Sequence, residues 1–278
     1  MPTARSGLAA VRGADGRIYA IGGSNTSGPL ATVQAYTPST NTWATVASMP
    51  TARSGLAAVL GADDRIYAIG GSAATILTTV EAYSPLTDTW ATVASLPYWR
   101  MNLAGARGPD GRIYVIGGSD PRLSDSVVAY SPISNTWSYV ATLLPTPREE
   151  LAATSGLDGR IYALGGTSPT ASRAIAEAYA PTPNVWTAMT SMPTGRYGLA
   201  ATTGADGRIY AIGGIGPVTV ASTVESYTPN TNVWATVASM PTARWLLAAA
   251  AGSDGRIYAI GGQNAGSIEV ATVEAYTP

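Results

Sequence analysis

Apolar and polar residues alternate in short blocks along this chain, and the blocks return at a nearly fixed interval. The nine residues DGRIYAIGG at 15–23 recur, with small changes, at 63–71, 110–118, 158–166, 206–214 and 254–262. Each copy contains a polar turn, four consecutive apolar residues and a pair of glycines. The copies are 47 or 48 residues apart. A period of this size indicates a repeat architecture, in which neighbouring units share one continuous core.

The unit at 192–239 illustrates the pattern within one repeat. Four short runs favour β-strands, namely GLAATT, RIYAIGG, STVESY and VWATVA, and turn-forming residues separate them. The Asp-Gly step before the second run is typical of a tight hairpin turn, because glycine accepts a positive φ. Glycine, proline and β-branched residues recur too often for helices. We therefore predict a four-stranded antiparallel sheet for each unit, and a radial propeller for six such sheets.

Aromatic residues follow each glycine pair at constant spacing. A tyrosine comes 12 to 14 residues after the pair, and in five units a tryptophan comes seven residues after that tyrosine. This pattern resembles the kelch repeat. The resemblance implies one all-β domain over 1–278, a six-bladed kelch-type β-propeller with four-stranded antiparallel blades. The expected blades are approximately 1–48, 49–95, 96–143, 144–191, 192–239 and 240–278.

The sixth unit departs from this pattern, because it has the glycine pair and Tyr276 but no tryptophan. We expect its blade to lack the outer strand, which gives 23 strands where six complete blades have 24. A fragment of a longer array would explain the count. The ring is still expected to close, with an unpaired edge at 272–276 that favours self-association.

Composition excludes several kinds of chemistry. The chain has no Cys, His or Lys, and its 16 basic residues are all Arg. We predict no metal site, no cofactor and no catalytic residue, because thiolate, imidazole and Schiff-base chemistry are absent. The copper-radical oxidases among kelch proteins need His ligands and a Cys-linked Tyr, so this activity is excluded for a chain without His or Cys. A net charge of −1 argues against nucleic-acid binding, and no apolar run is long enough for a membrane helix. The sequence does not indicate a cellular compartment.

The glycine pair itself has two interpretations. A phosphate-binding loop requires a following helix and commonly a lysine, and neither is predicted. We interpret the pair as architectural, needed for unusual backbone angles or close approach of two backbones.

One arginine precedes the first strand of every unit, and strand three carries an acidic residue in four of them. We interpret these arginines as structural, bonded to glutamates or carbonyls. The alternative is a ring of arginines at one channel mouth that holds an anion. The six arginines are Arg5, Arg53, Arg100, Arg148, Arg196 and Arg244. The strand-three residues are Gln34, Glu81, Val128, Glu177, Glu225 and Glu274.

The residues that differ between units gather on one face. Strand one runs away from the loop that joins it to the preceding blade, and strand two runs back. The loop before strand one and the loop after the glycine pair therefore share a face. We name this the variable face. Its candidate binding residues are Ser6, Ser24, Ser54, Ser72, Trp99, Met101, Asn102, Ser119, Glu149, Glu150, Thr167, Tyr197, Trp245 and Gln263.

The segment RSGLA in the first two units is similar to a turn of kelch substrate adaptors of ubiquitin ligases. The resemblance implies peptide contacts at Ser6, Ser54, Ser24 and Ser72. We therefore predict a non-catalytic interaction scaffold whose ligand is a protein, a peptide or a glycan.

Two alternatives stay open. One is a sugar mutarotase- or isomerase-like enzyme that uses Glu149 and Glu150, the adjacent glutamates beside Arg148. The other is a designed or recently amplified propeller that has no evolved ligand.

Overall fold

The computed structural model describes residues 1–119, 125–168 and 171–278. Its main sheets are six antiparallel blades arranged around one axis, which confirms the predicted six-bladed β-propeller. Blades one to five have four strands and blade six has three, as predicted. The part of the chain that the structure describes contains no helix long and apolar enough to cross a membrane.

The strands follow the predicted runs closely. Blades one and two contain β1 (Ala9–Arg12), β2 (Ile18–Ile21), β3 (Ser24–Asn25), β4 (Gly28–Pro29), β5 (Val33–Thr37), β6 (Thr42–Val46), β7 (Ala57–Leu60), β8 (Ile66–Ile69), β9 (Val80–Ser84) and β10 (Thr89–Val93). Blades three and four contain β11 (Ala104–Arg107), β12 (Ile113–Ile116), β13 (Val127–Ser131), β14 (Thr136–Tyr139), β15 (Ala152–Ser155), β16 (Ile161–Leu164), β17 (Thr167–Ser168), β18 (Ala171–Ser172), β19 (Ala176–Ala180) and β20 (Val185–Ala188). Blades five and six contain β21 (Ala200–Thr203), β22 (Ile209–Ile212), β23 (Val224–Thr228), β24 (Val233–Val237), β25 (Ala248–Ala251), β26 (Ile257–Ile260) and β27 (Val273–Tyr276). The pairs β3–β4 and β17–β18 are small separate ribbons.

The core lies between neighbouring blades. The second strand of each blade is buried along its whole length, because both of its faces pack against adjacent sheets. Tyr67 of blade two contacts Tyr130 of blade three, with ring centroids 5.3 Å apart. Such aromatic pairs contribute about 0.5–1.5 kcal/mol beyond the area they bury. The outer strands are largely exposed on one face, which explains their threonines.

The glycine pair has the architectural role predicted for it. Gly22 and Gly23 have φ values of 61° and 92°, and the other five pairs have similar angles. A Cβ on Gly22 would lie 2.5 Å from the carbonyl oxygen of Arg53 in the next blade. The pair therefore allows two blades to approach at the backbone.

The ring closes between blades six and one, as expected. Gly262 N–H donates to the carbonyl of Arg5 at 2.9 Å, and the Met1 amino group donates to the carbonyl of Ala271 at 2.9 Å. Leu8 and Ile260 belong to one apolar cluster that spans this junction. Backbone hydrogen bonds and one apolar cluster therefore hold the junction closed, even though blade six has three strands.

Candidate functional site

The structure brings the two variable loops of each blade together. The residue after each repeated arginine pairs through its backbone with the residue after the glycine pair, so these residues share one face as predicted. The pairs are Ser6–Ser24, Ser54–Ser72, Met101–Ser119, Glu149–Thr167, Tyr197–Ile215 and Trp245–Gln263.

A closed circle of backbone hydrogen bonds surrounds the axis at this face. The amide of Gly7 donates to the carbonyl of Leu246 at 2.8 Å, and the amide of Gly55 donates to Gly7 at 2.8 Å. The circle continues in the same direction through all six blades. Its members, the axial ring, are Gly7, Gly55, Asn102, Glu150, Gly198 and Leu246. The ring fixes six side-chain positions at the mouth of the channel.

All six ring residues have left-handed backbone angles, with φ between 49° and 61°. Three blades have glycine there, which adopts these angles without cost. Asn102, Glu150 and Leu246 do not have that freedom, although Asn tolerates the region better than other residues. The left-handed conformation costs an ordinary L-residue about 1–2 kcal/mol. Side chains held at such a cost are candidates for a functional role.

A small pocket of about 150 Å³ opens inside the axial ring, lined by ring residues and the first strands. Glu150 is the one ionisable residue among its described lining residues. Burial, with a smaller effect from the charge of Glu149, raises the pKa of the Glu150 carboxyl to about 7. Its Oε2 atom is buried and has no hydrogen-bond partner within the described residues. This carboxyl is therefore an unused polar group beside the pocket.

An aromatic pair stands next to this carboxyl. The rings of Tyr197 and Trp245 form an edge-to-face contact with centroids 6.3 Å apart. A Cβ on Gly198 would lie 3.2 Å from the Trp245 ring, 3.5 Å from Glu150 Oε2 and 3.5 Å from the Leu246 side chain. One half of the channel mouth is thus lined by apolar, aromatic and carboxyl groups, whereas the half at Gly7 and Gly55 has no ring side chains.

The other predicted site residues are more dispersed. Trp99 is partly buried and precedes the ring position of its blade by three residues. Its neighbour Tyr98 is 48% exposed and faces the ring of Tyr139 at 6.4 Å, toward the outer edge of blade three. These aromatic groups form a second apolar area away from the axis.

Ser6 needs a correction. Only 2% of this residue is exposed, so its hydroxyl lies beneath the surface and does not present a ligand contact. Ser24, Ser54 and Ser72 are partly exposed, as a peptide-binding role would require.

The anion-ring interpretation of the first arginines is also corrected. All six side chains are at most 2% exposed, and each donates hydrogen bonds to backbone carbonyls. Arg53, Arg148, Arg196 and Arg244 form ion pairs with the strand-three glutamates at 2.5–3.0 Å. Arg5 instead bonds Gln34, and Arg100 bonds Ser126. Burial lowers the pKa of the Arg5 guanidinium to about 10. These groups hold strands together and are not available to an anion.

A second repeated arginine follows the hairpin turn of every blade. It pairs with an aspartate two residues earlier and not with a strand-three residue. Arg17 Nε donates to Asp15 Oδ2 at 2.6 Å, and the guanidinium lies 5.2 Å from the Tyr19 ring. Burial alone would raise the pKa of the Asp15 carboxyl, but hydrogen bonds from Tyr19 and Arg17 leave it below its ordinary value. The same Asp–Arg–Tyr group recurs at Asp63, Asp110, Asp158, Asp206 and Asp254. It stabilises the turns on the opposite face.

Leu246 lies on the variable face but is not among the candidate binding residues predicted from the sequence. A signal was present, since leucine occupies a position that is glycine in three other units. What the sequence alone does not contain is the circle of hydrogen bonds that places this position on the axis.

The described residues contain no group of three or more Asp and Glu side chains arranged to hold a metal ion.

Comparison with known proteins agrees with this architecture. No curated protein matches the chain. A model of the Kelch motif matches residues 5–50, 53–97, 100–144, 196–241 and 244–278, and blade four, outside these ranges, has the same four-stranded topology. With most of its length matched and its fold a six-bladed propeller, the chain belongs to the Kelch motif family.

Proposed function

We propose that this protein is a non-catalytic interaction module that binds a protein or peptide through the variable face, centred on the axial ring. The observation that carries the proposal is the presence of Asn102, Glu150 and Leu246 at left-handed positions where other blades use glycine. None of these three residues belongs to the buried core, so their backbone cost favours a surface role. Kelch propellers typically serve as scaffolds for protein interactions.

The asymmetry of the mouth suggests how a ligand is held. The rings of Tyr197 and Trp245 offer apolar area with few rotatable bonds, a combination typical of binding anchors. No donor among the described residues reaches Glu150 Oε2, and we expect this oxygen to accept a hydrogen bond from the ligand. The open half at Gly7 and Gly55 leaves space for the ligand backbone to enter. We expect a peptide with an apolar side chain against Trp245 and an N–H or O–H group directed at Glu150.

Peptide display against the immobilised chain tests this proposal. Selected peptides should lose at least about tenfold in affinity on the double substitution Tyr197→Ala and Trp245→Ala, because truncated aromatic anchors commonly cost more than 1 kcal/mol. Leu157→Ala is the matched control, since Leu157 is 75% exposed in a hairpin turn of the opposite face. Peptides that lose affinity with Leu157→Ala and retain it with the double variant would contradict the proposal. A glycan array measured in parallel, with hits that depend on Trp245, would reassign the ligand class to carbohydrate. If neither screen yields a ligand that depends on this face, a propeller without an evolved ligand is the better interpretation.

One observation favours the enzyme alternative, a sugar mutarotase or isomerase. The pKa of Glu150, about 7, is suited to general acid–base catalysis at neutral pH. A second converging ionisable group is absent from the described lining of the axial pocket, however, and such reactions generally use more than one group. NMR measurement of anomer exchange across a panel of aldoses decides this. An anomer-exchange rate above that of buffer alone, lost in the Glu150→Gln variant, would establish an enzymatic activity. It would overturn the non-catalytic proposal.

A further inference from the structure

The axial channel has a second mouth, at the face that carries the hairpin turns. It is formed by the last residue of the first strand in each blade, and we name these six residues the turn mouth. They are Arg12, Leu60, Arg107, Ser155, Thr203 and Ala251. A cavity of about 300 Å³ opens among them. The channel therefore has a concave site at this end as well as the pocket inside the axial ring.

Two of the turn-mouth residues, Arg12 and Arg107, are arginines that the repeat does not require. Every blade has one arginine that is buried and a second that pairs with the aspartate of its own turn, and these two residues belong to neither set. Both are exposed and form no ion pair within the described residues. Strand β7 contacts both β1 and β11, so Leu60 lies between the two arginines around the mouth.

Each of these arginines uses a small part of its hydrogen-bonding capacity. Arg12 donates from Nη1 to the carbonyl of Gly252 in blade six at 3.4 Å, and Arg107 donates from Nη1 to the carbonyl of Gly61 in blade two at 3.2 Å. Both distances are at or beyond the upper end of the usual range, and a guanidinium has five N–H donors. Its planar shape matches the paired oxygens of a carboxylate or a phosphate. The remaining donors are therefore available to an oxyanion.

Hydroxyl groups form the cavity wall on the side of blades four and five. Thr154 and Thr202 line the cavity at a strand position where blades one and two have Val11 and Val59. The Thr202 hydroxyl makes no hydrogen bond within the described residues, so it is free to donate to a ligand. The described lining of the cavity contains no acidic residue. The wall is thus made of cationic, neutral polar and apolar groups, a combination that favours an anion.

The turn of blade two carries one carboxylate near this mouth. Asp64 is exposed and stands where the other five turns have glycine. It forms no ion pair with Arg107 within the described residues, although Gly61, which accepts the hydrogen bond of Arg107, closes the same turn. Asp64 therefore lowers the positive charge at the mouth by one. Its removal provides a test in the direction opposite to removal of an arginine.

We propose that the turn mouth binds a small oxyanion with two negative charges, a phosphate monoester or a dicarboxylate, between Arg12 and Arg107. Two guanidinium groups match the two charges of the ligand, and the Thr202 hydroxyl donates a further hydrogen bond. The cavity volume limits the bound group to a small molecule. This site lies at the other end of the channel from the variable face and does not depend on the function proposed there.

Isothermal titration calorimetry of the 278-residue chain tests the proposal with inorganic phosphate, succinate and acetate as probes. Phosphate or succinate should bind saturably with one ion per chain. Acetate has a single charge and should bind at least about tenfold more weakly. The dianion with the higher affinity identifies the ligand class as phosphate or dicarboxylate. Affinity should fall as the ionic strength rises, because the arginines are exposed and salt screens their charges.

Replacing both arginines should remove the site. The double variant Arg12→Leu and Arg107→Leu should lose at least about 30-fold in affinity, since each substitution removes hydrogen bonds to a charged group. Leucine fits at this position, as Leu60 shows in blade two. The matched control is Arg208→Gln, which removes one positive charge from a turn of the same face, outside the described lining of the cavity. This control should change the affinity less than about twofold.

Two further variants act on single groups at the mouth. Thr202→Val should weaken binding several-fold by removing the free hydroxyl, and valine is already present at this position in two blades. Asp64→Gly should strengthen binding several-fold by removing a competing negative charge. Tyr197→Ala, on the variable face, should have no effect. In NMR spectra of the ¹⁵N-labelled chain, the side-chain Nε–H resonances of Arg12 and Arg107 should shift during the titration.

Several results would overturn the proposal. One is the absence of saturable binding of either dianion at about 10 mM. Another is equal affinity of the wild type and the double arginine variant. Equal losses in Arg208→Gln and in the double variant would show a diffuse attraction to the whole face in place of a site. NMR shifts confined to axial-ring residues would place the ion at the other mouth and would also overturn it.

Discussion

Glu150 allows a direct test of the axial ring, because its buried carboxyl lowers the free energy of unfolding only when it is charged. The pKa of this carboxyl is about 7 in the folded chain, raised from 4.5 first by burial and second by the charge of Glu149. Between pH 4.5 and 7 the folded state therefore binds more protons than the unfolded state. Stability from this group is greatest below pH 4.5 and falls as the pH rises toward 7.

The magnitude follows from the size of the shift. Each pKa unit corresponds to about 1.4 kcal/mol, so the full shift corresponds to about 3 kcal/mol above pH 7. About 2–3 kcal/mol of this change falls between pH 5 and 8. Glu150→Gln removes the titration and keeps the side-chain size. Relative to the wild type, this variant should gain about 2–3 kcal/mol in unfolding free energy from pH 5 to pH 8.

Urea unfolding followed by tryptophan fluorescence measures the effect at several pH values. Only the difference between variants matters, so other titrating groups cancel. Glu149→Gln is the second variant. Because it removes the smaller cause of the raised Glu150 pKa, its pH-dependent loss of stability should be smaller than in the wild type and should be complete at a lower pH. Parallel pH profiles for the wild type and Glu150→Gln would refute the assignment of a buried, unpaired carboxyl to the axial pocket.

The remaining predictions concern the repeat itself. Gly22→Ala should cost about 1–3 kcal/mol more unfolding free energy than Gly7→Ala, because the two φ values are 61° and 59° but only the Gly22 Cβ meets a backbone oxygen, at 2.5 Å. Equal losses in urea unfolding would show that backbone angle alone matters at the glycine pair. Arg148→Met should cost about 3–5 kcal/mol by leaving Glu177 buried and unpaired, and adding Glu177→Leu should recover most of it, as calorimetry would show. Blade three shows that an apolar residue fits at the glutamate position, since it has Val128 there beside a retained Arg100. A double variant no more stable than Arg148→Met would argue against the recovery.

The sequence by itself determined the blade. The DG turn, the buried run and the glycine pair lie within nine consecutive residues, so local hairpin geometry and apolar burial fix their structure in every copy. The strand register, the number of blades and the incomplete sixth blade all follow from this repetition. The missing tryptophan after Tyr276 was visible in the same way, because five other units provide the comparison.

Tertiary structure decided which of these residues are accessible and which meet. Arg5 and Arg17 are both conspicuous repeated arginines, yet packing between blades buries the first and leaves the second on a turn. Ser6 is buried while Ser54, in nearly the same local sequence, is partly exposed. Gly7 and Leu246 are far apart in the chain and become bonded neighbours only when the ring closes. Burial and long-range contacts depend on how whole blades pack around the axis, and no single repeat encodes that environment.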